Sequence, residues 1–214
     1  MYLSRLLLNP RDRQVQREIA DPYNLHRTIL HAFNSDRASA SVLHRLEQNP
    51  RNGQMILLVQ SAIRPDWEWL IEKGYLSPAD PFSGMENPAV KEVNLSLQNG
   101  RFLQFRLTAN PSIKKVRRDK NGKRRNSNRV PIVHEEKQRE WLQKRAADNG
   151  FRILDTNISQ AQNQTSRQKK ITVYTVQFNG RLQITNADTF KTAIEKGIGP
   201  AKAFGCGLLS LAPA

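Results

Sequence analysis

The sequence predicts an α+β protein built from two consecutive units, each with the order strand, helix, strand, strand, helix, strand. Two observations predict this fold class. Short apolar segments with alternating or continuous hydrophobic character, typical of strands, recur along the 214 residues. Between them lie segments whose apolar residues follow helical spacing and whose ends carry capping residues. The length is also sufficient for two small domains.

The first unit is predicted to span residues 1–98 and begins with an apolar strand at 1–8. A helix begins at Asp21-Pro22, because aspartate can accept hydrogen bonds from free N–H groups and proline fits the first helical turn. The apolar residues that follow have helical spacing: Leu25, Ile29, Leu30 and Phe33. The remaining elements are three strands and one helix, at 41–48, 55–62, 90–97 and 65–74.

The second unit, predicted at 99–214, repeats this order without detectable sequence similarity to the first. Its strands are predicted at 102–109, 151–158, 171–178 and 207–213, and its helices at 134–150 and 187–196. Asn149-Gly150 and Gly197 end the two helices. Asn179-Gly180 predicts a tight hairpin turn after the strand 171–178, with the chain returning through 181–185. Two βαββαβ units predict two tandem ferredoxin-like (RRM-like) domains.

The charge predicts a polyanionic partner. Lysine and arginine number 34 against 19 acidic residues, which gives a net charge of +15. The chain has no apolar span of 18 residues, no long basic amphipathic helix and no signal peptide, so no membrane partner is expected. The single cysteine, Cys206, excludes an intrachain disulfide and a multi-cysteine zinc site. We expect a cytoplasmic nucleic-acid-binding protein.

The densest positive charge lies at 114–129, where nine basic residues stand against one acid. With few apolar residues to bury, this basic segment is expected to be mobile alone and to clamp phosphates. A solvated loop or a localisation signal is the alternative. Predicted phosphate contacts within it are Lys114, Lys115, Arg117, Arg118, Arg124, Arg125 and Arg129. Further predicted contacts are Arg27, Lys137, Arg139, Lys144, Arg145, Arg167, Lys169 and Lys170, although roughly half of such residues ordinarily just solvate a surface.

A glycine-rich loop, GIGPAKAFGCGLLS, joins the last helix to the last strand. It contains Gly197, Gly199, Gly205 and Gly207 together with Lys202. It matches neither the P-loop nor the dinucleotide fingerprint. A tight turn needed for packing explains two of the glycines. Four glycines and a lysine make an anion-contacting loop at least as plausible, with Lys202 on a phosphate.

The sequence has no clustered carboxylates or His-x-His pattern, so we expect no metal and no cofactor. RNA cleavage can instead use the 2′-OH of the substrate, with a proton acceptor, a proton donor and positive charge. His26 is the best candidate, because Tyr23 lies three residues before it on the same helix face. The helix N-terminus and nearby cations should lower the pKa of His26. His31 ranks second, and His44 and His134 are expected to be structural.

Four segments, DPYNLHR, FRLTANPSIK, VPIVHEEKQREWLQK and GIGPAKAFGCGLLSLAP, occur in the same order along nearly the full length as in the CasE family. The chain therefore resembles the CRISPR repeat-cleaving endoribonucleases of type I-E systems. The resemblance implies two ferredoxin-like domains, and metal-independent cutting of precursor CRISPR RNA at the 3′ base of the repeat hairpin. It implies a 2′,3′-cyclic phosphate product, and retention of the product RNA within Cascade beside the other subunits. His26 matches the catalytic histidine and Tyr23 the tyrosine that assists it.

Two other functions compete with this one. A non-catalytic RNA-binding subunit could keep the same fold, but the intact DPYNLH at a helix start favours the enzyme. A general DNA-binding protein is disfavoured because no helix-turn-helix or zinc pattern occurs.

Overall fold

A computed structural model describes residues 1–33, 39–79, 84–115, 117–118, 122, 124–125 and 129–214, with the backbone alone at 117–118 and 124–125. Two four-stranded antiparallel sheets, one in each half of the chain, carry the architecture. None of the described helices combines the length and the apolar character needed to span a membrane.

The first sheet has the order β2-β3-β1-β4, with all neighbours antiparallel. Its strands are β1 (Tyr2–Leu7), β2 (Leu43–Gln48), β3 (Met55–Ser61) and β4 (Ala89–Glu92). Its helices are α1 (Arg13–Ile19), α2 (Pro22–Leu30) and α3 (Glu68–Glu72), with a 3₁₀ turn at His31–Phe33. Side chains of α2 such as Leu25 and Ile29 pack with Leu6, Leu57 and Val59 of the sheet in one buried core.

The second sheet has the order β10-β11-β5-β12. The strands of this half are β5 (Phe102–Ala109), β6 (Ser112–Lys114), β7 (Arg117–Arg118), β8 (Arg124–Arg125), β9 (Arg129–Pro131), β10 (Phe151–Ser166), β11 (Ile171–Ile184) and β12 (Leu209–Pro213). Its helices are α4 (Glu135–Asp148) and α5 (Ala187–Lys196). In both sheets the first and third strands of the unit are central, which confirms the tandem ferredoxin-like prediction. The predicted boundary between residues 98 and 99 falls in the segment between β4 and β5 and stays a prediction.

The predicted hairpin turn at Asn179-Gly180 is wrong, because β11 continues through both residues. Gly180 pairs with Thr156 close to a register shift between Ile153 and Asp155. A Cβ atom on Gly180 would lie 2.1 Å from the Asp155 carbonyl oxygen, so glycine is needed here for close strand approach at an irregularity. The actual turn between β10 and β11 is at residues 167–170.

Part of the basic segment, predicted as a mobile loop, forms a paired ribbon in its described residues. Strand β6 pairs with β9, and farther out β7 pairs with β8. Lys120 and Lys123 lie outside the described residues. Because basic residues occupy consecutive positions, the sequence shows no alternation that would indicate these strands. The predicted mobility of the segment stays untested.

A buried arginine joins the two halves. The Arg45 side chain is 3% exposed and comes from β2 of the first sheet. Its guanidinium donates to the Leu208 carbonyl oxygen at 3.1 Å and to Ser210 Oγ at 2.7 Å, both in the second half. Its Nε atom pairs with Glu47 at 2.8 Å, and Glu47 also accepts from Arg106 of β5 at 3.2 Å. This network fixes the edge of the first sheet against the second half.

Candidate active site

The start of helix α2 is anchored to the second half of the chain by one carboxylate. Asp21 is the N-cap residue, and its Oδ1 atom accepts from the Tyr23 amide at 3.2 Å, as predicted for a helix beginning at Asp21-Pro22. Its Oδ2 atom accepts from Ser166 Oγ at 3.3 Å and from the Arg167 amide at 3.2 Å. The first turn of α2 is therefore held against the basic turn between β10 and β11.

Tyr23 and His26 lie one helical turn apart on α2, and both are half-buried. The Lys169 ammonium lies over the Tyr23 ring, 5.0 Å from its centroid. Burial lowers the pKa of His26, so its imidazole is neutral at pH 7 and able to accept a proton. The predicted direction of this shift is reproduced. Its cause in the structure is loss of hydration, whereas the sequence suggested the helix N-terminus and nearby cations.

His44, expected to be structural, is in ring contact with the candidate histidine. It lies on β2, is 1% exposed, and its ring stacks on His26 with centroids 5.4 Å apart and planes 21° apart. Burial, and secondarily the positive charge that His26 can carry, lower the pKa of His44 to about 3. The Nδ1 atoms of both rings are buried without a hydrogen-bond partner among the described residues.

The other two histidines lie in different surroundings. His31 is exposed in the 3₁₀ turn after α2, and its ring meets the edge of Trp69 at 5.8 Å between centroids. His134 is exposed immediately before α4, and its side chain makes no capping hydrogen bond.

The glycine-rich loop forms the predicted turn between α5 and β12, and all four of its glycines have positive φ. A Cβ atom on Gly197 would lie 2.6 Å from Leu43 Cδ2, and one on Gly205 would lie 3.7 Å from His44 Nε2. The loop therefore packs against β2 of the first half, beside the candidate histidines. The Lys202 ammonium donates to the Lys196 carbonyl oxygen at the end of α5. Its predicted role as a phosphate contact stays a prediction.

Most predicted RNA contacts are exposed: Arg27, Lys114, Lys115, Arg129, Lys137, Lys144, Arg167, Lys169 and Lys170. Arg139 and Arg145 are less exposed and make contacts with other residues of the protein. Arg139 donates to the Thr156 carbonyl oxygen and pairs with Glu135 at 2.5 Å. Arg145 lies over the Trp141 ring at 5.7 Å. For Arg117, Arg118, Arg124 and Arg125 the structure gives the paired backbone alone.

The structure places two predicted contacts at the candidate site. Arg167 follows the serine that bonds Asp21, and Lys169 covers Tyr23. The cations of α4 lie on a helix that packs on β10.

Sequence reasoning missed a polar cleft of about 810 Å³ between the two sheets. Its lining includes side-chain amides and hydroxyls of β10 and β11, among them Ser159, Gln162, Gln164, Thr175 and Gln177. It also reaches His44 and the first turn of α2. The sequence signal for these residues is the polar run SQAQNQT. The predicted strand ended before this run, because the run has no alternation of apolar and polar residues. Among the described residues, no three histidine, cysteine or acidic side chains are grouped so as to hold a metal ion.

Known proteins resemble this chain in sequence along its full length. A family model described as "CRISPR associated protein" matches residues 1–213. The CRISPR-associated endoribonuclease Cse3 of Thermus thermophilus is 32% identical to this chain, and the CRISPR system Cascade subunit CasE of Escherichia coli is 34% identical. Each alignment covers 100% of both chains.

Two solved structures illustrate the structural likeness. Thermus thermophilus Cse3 bound to an RNA representing a pre-cleavage complex has a TM-score of 0.84 at 31% identity, covering 99% of this chain and 98% of the other. The CRISPR-associated protein Cas6e from Escherichia coli has a TM-score of 0.70 at 30% identity, with 100% of both chains covered. The fold described by the two sheets is thus the fold of these relatives.

Proposed function

Since this chain belongs to the CRISPR associated protein family, we propose that it is an endoribonuclease that cuts precursor CRISPR RNA at the 3′ base of the repeat hairpin. It then stays on the product RNA as a subunit of Cascade, as the name of its CasE relative suggests. One observation carries the catalytic part of this proposal. A neutral, half-buried His26 lies one turn after Tyr23, on a helix start held against a basic turn.

The proposed reaction needs no group beyond the RNA and these side chains. The 2′-OH on the 5′ side of the cut loses its proton to a base and attacks the neighbouring phosphorus. The bond from phosphorus to the 5′-oxygen breaks, and that oxygen gains a proton. The products are a 2′,3′-cyclic phosphate and a 5′-OH, and the reaction consumes no water.

His26 is proposed as the main proton carrier. Its Nδ1 atom is buried, so Nε2 is the nitrogen available to the substrate. Tyr23 orients or donates beside it. Arg167 and Lys169, both exposed at the adjoining turn, stabilise the negative charge that grows on the phosphoryl oxygens. The basic segment and the exposed cations of α4 hold the phosphates of the hairpin.

The test uses the repeat RNA of the same host, incubated with the protein in excess chelator, with both product ends mapped. We expect cutting at the 3′ base of the hairpin and a cyclic phosphate end. Cutting that stops in chelator and returns with magnesium contradicts the metal-independent mechanism.

A second substrate tests the nucleophile. Replacing the ribose on the 5′ side of the cut by 2′-deoxyribose should abolish cutting and leave binding nearly unchanged. A deoxy substrate cut at a similar rate shows that water attacks. If the protein binds the hairpin and cuts no repeat RNA, the non-catalytic RNA-binding subunit is the correct function.

A further inference from the structure

A histidine that transfers protons usually has its ring plane fixed by a hydrogen bond to its second nitrogen. His26 has no such bond, because its Nδ1 atom is buried without a partner among the described residues. Something else must therefore hold the ring in one orientation. The ring of His44 is stacked on its face, with the two ring centroids 5.4 Å apart and the ring planes 21° apart.

His44 is itself rigidly held. It lies on β2, where its backbone is in register with Val59 of β3, and its side chain is 1% exposed. The next residue, Arg45, ties the strand to Leu208 and Ser210. Because side chains alternate along a strand, Arg45 faces the second half while His44 faces α2. The glycine-rich loop closes the remaining side, with Gly205 next to His44 Nε2.

Folding alone does not explain a histidine at this position. Its Nδ1 atom is buried without a partner among the described residues, and such an atom costs stability that an apolar residue would not. Burial also keeps the ring neutral, so it adds no positive charge next to His26.

We propose that His44 is a positioning residue, whose immobile ring fixes the plane of the His26 imidazole so that Nε2 points at the RNA. This inference rests on the proposed function of His26. The glycine-rich loop also takes part, since Gly205 lies beside the Nε2 and Cδ2 atoms of the His44 ring.

Two variants separate the ring from the space it fills. His44→Leu keeps a similar volume and removes the flat face, whereas His44→Phe keeps the flat face and removes the nitrogens. Single-turnover cleavage is measured with saturating protein, together with equilibrium binding of the 2′-deoxy repeat hairpin. We expect His44→Leu to cut about 10- to 100-fold more slowly, the usual effect of misplacing a reacting group, with affinity within about threefold of the wild type. His44→Phe should stay within about fivefold of the wild-type rate.

A control variant shows whether a loss of stability by itself slows cleavage. Leu70 of α3 is 1% exposed in the apolar core of the first half, and Leu70→Ala should lower the melting temperature while leaving the single-turnover rate nearly unchanged. The ¹H–¹³C signal of the His26 ring gives an independent readout. It should broaden or move in His44→Leu and remain close to the wild type in His44→Phe.

Each result decides the matter. A wild-type rate in His44→Leu, or an equal loss in the Leu and Phe variants, overturns the positioning role. If His44→Leu does not fold, His44→Phe and the His26 ring signal decide alone. A His26→Ala protein that cuts at the wild-type rate refutes the proposed function of His26 instead, whatever the His44 variants do.

Discussion

The proposed chemistry depends on one half-buried imidazole on helix α2. Replacing it, His26→Ala, should lower single-turnover cleavage by roughly 10²- to 10⁴-fold, the usual contribution of a positioned acid or base. Binding of the non-cleavable hairpin should stay within a few-fold, because one neutral ring adds little to so basic a surface. Tyr23→Phe should cost less, since it removes a hydroxyl and not the main proton carrier.

The control for this pair is His134→Ala, an exposed histidine before α4. It should change neither rate nor product. His44→Ala, which the sequence alone would offer as the control, is unsuitable because His44 stacks on His26. If His26→Ala abolishes binding or folding, its role is structural and the catalytic assignment fails.

His44 also gives the protein an acid sensitivity. Its folded-state pKa is about 3, against about 6.5 in an unfolded chain, so only the unfolded state binds this proton between those values. The contribution of His44 to the free energy of unfolding is therefore fully present above pH 6.5. It is lost as the pH falls towards 3, by up to about 1.4 kcal/mol per pH unit. Urea unfolding at pH 7 and pH 5 should show a smaller loss for His44→Phe than for the wild type. Equal losses in both proteins contradict this assignment.

The elements show which parts of this molecule could be predicted from sequence. Helix α2 was predictable because Asp21, Pro22 and the apolar residues after them all indicate the same structure. The outer half of β10 was not, because its polar residues line a cleft and show no alternation. The stacking of His44 on His26 was also hidden, since residues 18 positions apart meet only after β2 pairs with β3.

In the glycine-rich loop, a side chain at position 197 should destabilise the protein both through backbone strain and through its contact with β2. Gly197→Ala forces a Cβ at positive φ and also places it 2.6 Å from the buried Leu43 side chain. Gly100→Ala is the reference for positive φ alone, with φ of +83° and open space around the added atom. Strain should cost about 1–2 kcal/mol in Gly100→Ala. It should cost about 1–3 kcal/mol in Gly197→Ala before any contact is counted, because φ of +75° with ψ of 151° is a backbone region that essentially only glycine adopts. Gly197→Ala should lose measurably more in chemical unfolding, and equal losses show that the contact with Leu43 relaxes freely.

The basic segment should dominate the salt dependence of RNA binding. The test variant replaces four arginines together by glutamine: Arg117, Arg118, Arg124 and Arg125. It should bind RNA more weakly. The slope of log K against log salt should fall by about 1 for each phosphate that the variant no longer neutralises. The control removes four exposed cations that are not predicted to contact RNA: Arg101, Arg152, Lys191 and Lys196. An unchanged slope in the first variant, or the same change in both, means that the phosphate clamp lies elsewhere.

Across the whole molecule, the site depends on both halves of the chain. His26 and His44 come from the first, while the turn that bonds Asp21 and the loop that packs on His44 come from the second. The two sheets must therefore keep a fixed relation for the site to exist. Besides the Asp21 contacts, the described connections include Gln60 Nε2 donating to the Ile194 carbonyl oxygen at 2.8 Å, and the Arg45 network.

Removing the central side chain of that network should uncouple the halves. In Arg45→Ala, the Leu208 carbonyl oxygen and Ser210 Oγ lose the guanidinium that donates to them. Glu47 keeps its ion pair with Arg106. We expect a loss of about 3 kcal/mol, because each of these two acceptors loses a hydrogen bond from a charged donor worth about 1.5 kcal/mol or more. Arg181→Ala, which breaks an exposed pair with Asp155, should cost less than about 1 kcal/mol.

In urea, Arg45→Ala should unfold with a lower apparent m-value, because halves that no longer unfold together broaden the transition. A sharp transition with the wild-type m-value shows that the remaining contacts are enough to hold the sheets together, and cleavage by that variant should then be preserved.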